Sequence, residues 1–200
     1  MKRGKKLGVF SGTFDPFHEG HLQVCLTAIQ KCQLDKVVVL IEKIPLHKTR
    51  VSDYGHRMRM IELALKNHQN IDFLDINLNN ITINTVLPVL SRLYEDSEYW
   101  LITGSDVLKN IANWNKVDEL LKVMGLCIVN RSNHSQKQDK LLINDLQKKF
   151  GRIRYQLLPE ISSNASSSVV RRQIYDCSES NLLLPEVLDY INTQQLYKAQ

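Results

Sequence analysis

A chain of 200 residues, 43% hydrophobic and 24% charged, is long enough to fill a two-sided core and too ordinary in composition to be disordered or fibrous. Its formal net charge of +5 is spread along the chain without a basic run; it suits a polyanionic small ligand and does not indicate a nucleic-acid partner. No apolar run approaches the ~18 residues of a membrane span, and the basic start MKRGKKLGVFSG has too short an apolar tail for a signal peptide. No membrane association and a cytoplasmic location are therefore expected.

Lys6–Phe10 reads as a strand and His18–Cys32 as a helix. Lys36–Ile41 (KVVVLI) is a near-continuous apolar run, as in a strand buried on both faces. Tyr54–Lys66 carries Met58, Ile61 and Leu65 at helical spacing, and Ile71–Leu74 is a short strand. Thr82–Tyr94 reads as a helix that Pro88 could kink. Tyr99–Thr103 and Leu126–Val129 are further buried strands, with helices at Asp106–Ala112 and Lys116–Val123 between them. Asn130–Lys140 (NRSNHSQKQDK) reads as a mobile loop, followed by a helix at Leu141–Lys149 and a strand at Ile153–Leu158. Ser167–Tyr175 and Pro185–Ile191 close the chain as helices.

This alternation predicts an α/β fold, a Rossmann-like doubly wound parallel sheet with right-handed crossovers. One domain is expected over 1–200, the helices from about 165 onward closing the site. Cys25, Cys32, Cys127 and Cys177 are scattered, without Cys-x-x-Cys spacing or histidines at zinc spacing. Free buried thiols are expected in place of bridges or a metal site. Ligands of such sheets bind beyond the carboxyl ends of the strands, which singles out segments 11–21, 43–53, 104–106 and 159–168.

The first of these segments is the most informative. In GTFDPFHEGH, Gly12 and Thr13 offer backbone N–H groups to a phosphate without bulky obstruction. Pro16 fixes the turn and holds Asp15 extended. His18 and His21 lie three apart at a helix N-terminus, where exposed N–H groups and the helix dipole already favour an anion. Two imidazoles there can donate to phosphoryl oxygens and stabilise charge gained in a transition state, and Gly20 between them lets a ligand lie close. In ASSSVVRRQI, Ala165–Ile174, the serines form a helix N-cap, or grip a phosphate with Arg171 adding a charge-assisted contact. In ITGSDVLKNIANW, Ile102–Trp114, Asp106 can cap a helix, and tryptophans such as Trp114 are more often packing than ligand platforms.

GTFDPFHEGH resembles the [ST]-F-x-P-x-H-x-G-H signature of the nucleotidylyltransferase superfamily. The resemblance implies a nucleotidylyltransferase-type fold in which Gly12, Thr13, Phe14, His18, Gly20 and His21 surround the triphosphate of a nucleotide. Ser11 replaces the more usual Gly of the adenylyltransferase branch. The later segment is similar to the I-S-S-T-x-x-R stretch of that branch, which implies Ser167, Ser168 and Arg171 on the β- and γ-phosphates. The cytidylyltransferase counterpart of that stretch is absent, which favours ATP over CTP. Ile102–Trp114 resembles the G-x-D-x-L…W stretch of nicotinate- and nicotinamide-mononucleotide adenylyltransferases, implying Gly104 and Asp106 on adenosine and Trp114 on the pyridine. IPLHK resembles that family's Pro-x-His-Lys loop and brings Lys48 to the mononucleotide. ITINTVLPVL corresponds to its Tyr-Thr-x-Asp-Thr-Leu stretch, bringing Thr82 and Thr85 to the pyridine substituent, with Ile81 and Asn84 as departures.

The expected reaction is transfer of AMP from ATP to nicotinate mononucleotide, giving deamido-NAD and pyrophosphate. His18, His21 and Arg171 would be the catalytic groups. Mg²⁺ would accompany ATP, and no metal would be held by a protein cage. Nicotinamide mononucleotide or phosphopantetheine as acceptor, a non-catalytic nucleotide sensor, and a homo-oligomer remain open alternatives. A dehydrogenase is disfavoured, since no Gly-x-Gly-x-x-Gly follows the first strand.

Overall fold

β-Branched and leucine-rich segments that carry apolar side chains on both faces can be satisfied only between two helical layers. A computed structural model describes residues 4–45, 48, 50–76, 81–130, 136–161, 165–176 and 181–198. In chain order it contains β1 (Lys5–Gly12), α1 (Glu19–Cys32), β2 (Lys36–Ile41), α2 (Tyr54–Leu65), β3 (Ile71–Phe73), α3 (Ile83–Leu93) and β4 (Ser97–Gly104). There follow α4 (Ser105–Ile111), α5 (Val117–Val123), β5 (Met124–Val129), α6 (Gln136–Phe150), β6 (Tyr155–Leu158), α7 (Ser167–Tyr175) and α8 (Pro185–Thr193).

The strands form one parallel sheet in the order β3-β2-β1-β4-β5-β6. This is the doubly wound order, with its switch point between β1 and β4. Successive residues face opposite sides of a strand, and the core divides accordingly. Phe10, Val37, Val39, Ile41, Trp100, Ile102, Cys127 and Val129 pack against α1, α2, α7 and α8. Leu7, Val9, Val38, Leu40, Tyr99, Leu101, Leu126 and Ile128 pack against α3, α4, α5 and α6. The Trp100 ring lies flat over β5: a Cβ on Gly125 would sit 2.6 Å from it, so only glycine admits the ring there. No described helix is long and apolar enough to cross a membrane.

Two expectations require correction. Residues 136–140 are not loop: they form the first turn of α6. The polar string hides an inward-facing Asp139, which accepts hydrogen bonds from Ser105 Oγ (2.8 Å) and Asn130 Nδ2 (3.2 Å). Residues 131–135 lie outside the described residues. The cysteines are not all free thiols either. Cys32 ends α1, Cys127 faces the same side of β5, and the two are paired as a disulfide with their Cα atoms 6.8 Å apart. Ninety-five residues separate them in sequence, so no local spacing announced the contact. Cys25 is free and buried, and Cys177 lies outside the described residues. α3 runs through Pro88 without ending; that residue is exposed, so water can satisfy the carbonyl whose partner N–H proline lacks.

Candidate active site

β1 delivers residues 12–18 to the carboxyl edge of the sheet at the switch point. Phe14 adopts a left-handed backbone conformation (φ 50°), and its ring folds back onto Gly12, where a Cβ would lie 3.0 Å from it. Gly12 therefore serves the close approach of that ring as well as an open backbone. Phe14 is buried; its side chain shapes the loop from within, and only its backbone can face a ligand.

His18 is the N-cap of α1, and its ring stacks on that of His21 at 3.6 Å between centroids. The His18 backbone N–H donates to His21 Nδ1 at 3.2 Å. With Nδ1 accepting, a neutral His21 carries its proton on Nε2. Phe14 meets the His21 ring edge-on at 5.0 Å, and Phe17 lies 5.2 Å from it, which fixes the ring plane. Gly20, in the first turn of α1, is buried. The Glu19 N–H is taken by Leu182 O at 3.0 Å, tying the start of α1 to the segment before α8.

Below the loop lies a buried polar hub that sequence reasoning missed. Arg57 is 2% exposed. It donates to the main-chain oxygens of Ser52 (2.9 Å), Thr13 (3.0 Å), Glu42 (2.8 Å) and Lys43 (3.0 Å). Burial pulls its pKa down, and Asp15 opposes that effect. The signal was present in HRMRMIELAL. Arg57, Met60, Ile61 and Ala64 share one buried face of α2, so the arginine heads an apolar stripe. Thr13 Oγ1 donates to Glu42 Oε2 at 3.2 Å, which joins the ends of β1 and β2.

α7 reaches the same loop. Ser166, not Ser167, is its N-cap, accepting from the Val169 N–H. Ser167 Oγ donates to Pro16 O at 3.1 Å, and Ser168 is exposed beside Ser166, their hydroxyls 3.0 Å apart. Arg171 donates to the Asp15 carbonyl at 2.5 Å. Thus the GTFDPFHEGH loop and the Ser-Ser-Ser-x-x-Arg turn, some 150 residues apart, are in direct contact. At the end of β4, Gly104 is the N-cap of α4 and Asp106 is exposed in its first turn.

Next to this region is a cavity of about 340 Å³. Ser11, Glu42, Thr82, Leu101, Trp114 and Asn115 are among the residues that line it. Trp114 is 41% exposed. Thr85 does not line the cavity: it is the reciprocal capping partner of Thr82 at the start of α3, its hydroxyl donating to Thr82 O at 3.0 Å. Lys48 is exposed, and His47 lies outside the described residues. Among the described residues no group of three or more His, Cys, Asp or Glu side chains comes together as a metal site.

A family model described as cytidylyltransferase-like matches residues 9–173. The chain is 36% identical to a probable nicotinate-nucleotide adenylyltransferase of Carboxydothermus hydrogenoformans, covering 98% of this chain and 99% of that one. It is 30% identical to one of Clostridium novyi, covering 97% and 100%. Its fold superposes on Plasmodium falciparum nicotinic acid mononucleotide adenylyltransferase complexed with NaAD, with a TM-score of 0.77, 21% identity, and 96% and 97% of the two chains covered. The matched region runs from the apolar strand before the histidine pair to the arginine turn that grips its loop, and the relatives align over nearly their whole length. The chain therefore belongs to the cytidylyltransferase-like family and, within it, to the nicotinate-nucleotide adenylyltransferases.

Proposed function

We propose that this protein transfers the adenylyl group of ATP to nicotinate mononucleotide, forming deamido-NAD⁺ and pyrophosphate. A phosphate oxygen of the mononucleotide attacks the α-phosphorus in line; the bond to the β-phosphate oxygen breaks, and its electrons leave with pyrophosphate. The attacking group is already an anion at neutral pH, so no enzyme nucleophile is needed, and catalysis is positioning and charge stabilisation. Mg²⁺ would accompany ATP as part of the substrate and offset charge on its phosphates.

The observation that carries the reading is the stacked His18–His21 pair at the N-terminus of α1. His21 Nδ1 accepts the His18 N–H at the helix start, which puts the proton of the neutral ring on Nε2, the nitrogen that would donate to a phosphoryl oxygen. Gly12, Thr13, Phe14 and Gly20 form the loop around the triphosphate, mostly through backbone. Arg171, Ser167 and Ser168 act on its β and γ groups. Gly104 and Asp106, beside β1 at the end of β4, face adenosine. The neighbouring cavity, with Thr82 and Trp114 on its wall, has room for the pyridine nucleoside, Thr85 orders its α3 rim, and Lys48 meets the mononucleotide phosphate. The α3 N-terminus at that rim, with its positive dipole end, supports a carboxylate over an amide on the ring.

Pyrophosphate release from ATP and Mg²⁺, with nicotinate or nicotinamide mononucleotide offered separately, tests this. Strong preference for the nicotinate form is expected. Preference for the amide would move the substrate while keeping the mechanism, and turnover with neither would sink the reading.

A further inference from the structure

Asp15 is the meeting point of three distant segments. It is 3% exposed and stands three residues before His18. Its Oδ2 accepts the Ser52 N–H at 3.2 Å, from the connection after β2. Its main-chain oxygen accepts Arg171 Nη1 at 2.5 Å, and the same nitrogen lies 3.9 Å from Oδ2. Its Oδ1 accepts the hydroxyl of Tyr197 at 2.5 Å. The ring of Tyr197 packs on the α2–α8 side of the core, with its hydroxyl 4.0 Å from Met60 Sδ. Burial, and then the Asp15 charge, push the Tyr197 phenol well above the usual tyrosine range, so it remains a donor throughout the working pH range.

The two sides of the Asp15–Arg171 contact differ. Asp15 is enclosed, whereas the Arg171 side chain is about one-third exposed, at 36%. One guanidinium nitrogen is anchored to the loop, and among the described residues no hydrogen bond holds the rest of the five-donor fork, which can turn to an anion. The direction of that fork depends on where Asp15 is held, and the group holding Oδ1 of its carboxylate is a hydroxyl 182 residues away. We propose that Tyr197 is a positioning residue for the triphosphate: its hydroxyl fixes Asp15, and Asp15 aims Arg171. This rests on Arg171 meeting ATP, as in the proposed function. It adds that the segment after α8 sets how well ATP is held more than how well the mononucleotide is held: among the described residues the Tyr197 hydroxyl meets Asp15 and Met60, and neither lines the mononucleotide cavity.

Tyr197→Phe removes the hydroxyl and keeps the ring in its packing. Binding of a non-hydrolysable ATP analogue with Mg²⁺, measured by titration calorimetry, is expected to weaken about tenfold, the effect of one hydrogen bond to a charged group. The KM for nicotinate mononucleotide should stay within about twofold. In a double-mutant cycle with Arg171→Lys, the tyrosine change should add almost nothing to the loss already caused at Arg171. Unchanged analogue binding, equal weakening toward both substrates, or full additivity with Arg171→Lys would each overturn the proposal. Should Tyr197→Phe not fold, Asp15→Asn must give the same ATP-selective loss. The binding readout needs no turnover. A wild-type protein that binds the analogue but uses neither mononucleotide removes the functional reading alone. An active wild type with a neutral Tyr197→Phe removes this inference alone.

Discussion

His21 uses its two ring nitrogens for different ends, and that division governs what its removal does. Nδ1 accepts the His18 N–H at the start of α1, and the opposite nitrogen is the candidate phosphate donor. His21→Ala should therefore cost turnover about 10²–10³-fold, the value of one transition-state donor. It should also lower stability by about 1–3 kcal/mol by orphaning a part-buried N–H. His21→Asn is expected to recover much of the stability, because its side-chain oxygen can accept that N–H, without restoring turnover. Thermal unfolding and pyrophosphate release, measured on both variants, separate the two roles; recovery of activity in the asparagine variant would discard the donor assignment. The histidines were legible because their chemistry is local: strand, turn, helix start and imidazoles fall within fifteen residues. Tyr197 was not, since its partner lies 182 positions away; the stripe of α2 announced that Arg57 is buried, but a guanidinium that binds main-chain oxygens leaves no side-chain pattern from which to read its partners.

At the scale of elements, boundaries followed wherever burial and periodicity agreed. KVVVLI is apolar after its opening lysine, and β2 occupies those six residues; the serine cluster before an apolar stripe marked the start of α7. The reading failed at α6, whose first turn is Gln-Lys-Gln-Asp-Lys. Its anchor is a buried carboxylate in place of a leucine, and polar strings look like loop unless the partners Ser105 and Asn130 are known to converge. The β4–β5 pairing depends on a different local fit. Trp100 and Gly125 are register partners, and the ring occupies the space a side chain would need. Gly125→Ala should destabilise the protein by about 1–3 kcal/mol through overpacking, seen as a lower urea midpoint together with altered tryptophan fluorescence. An unchanged midpoint would mean that the ring moves aside without cost.

The whole molecule carries several phenols held protonated. Burial and Asp72 push Tyr94 up to about 12. Burial, and then a hydrogen bond to Asp75, raises Tyr54 further, and Tyr197 is raised as well. An unfolded tyrosine releases its proton near 10, so above that pH the unfolded chain binds fewer protons than the folded one, and folding weakens as pH rises. The contribution of Tyr94 is complete below about pH 10 and is lost as pH climbs to about 12. Urea unfolding at intervals from pH 8 upward should show this decline, and Tyr94→Phe should make it shallower; a flat profile would contradict it. The strand order was legible as a class from strand–helix alternation, because parallel neighbours need crossovers. The disulfide and the Asp15 hub were not, because they depend on which helices share a face after the sheet has formed.

The junction of Asp15 with Tyr197 also has a bearing on how the chain is made. Translation must add 182 residues after Asp15 before the two can meet, which at ~5–20 residues per second is roughly 10–40 s. During that interval the emerging chain holds the histidine segment without the contact that anchors it, while β1 can already pair with β2 and then β4. The histidine loop is thus assembled only after the scaffold beneath it, and a nascent chain halted midway would carry the signature residues without the contacts that hold them.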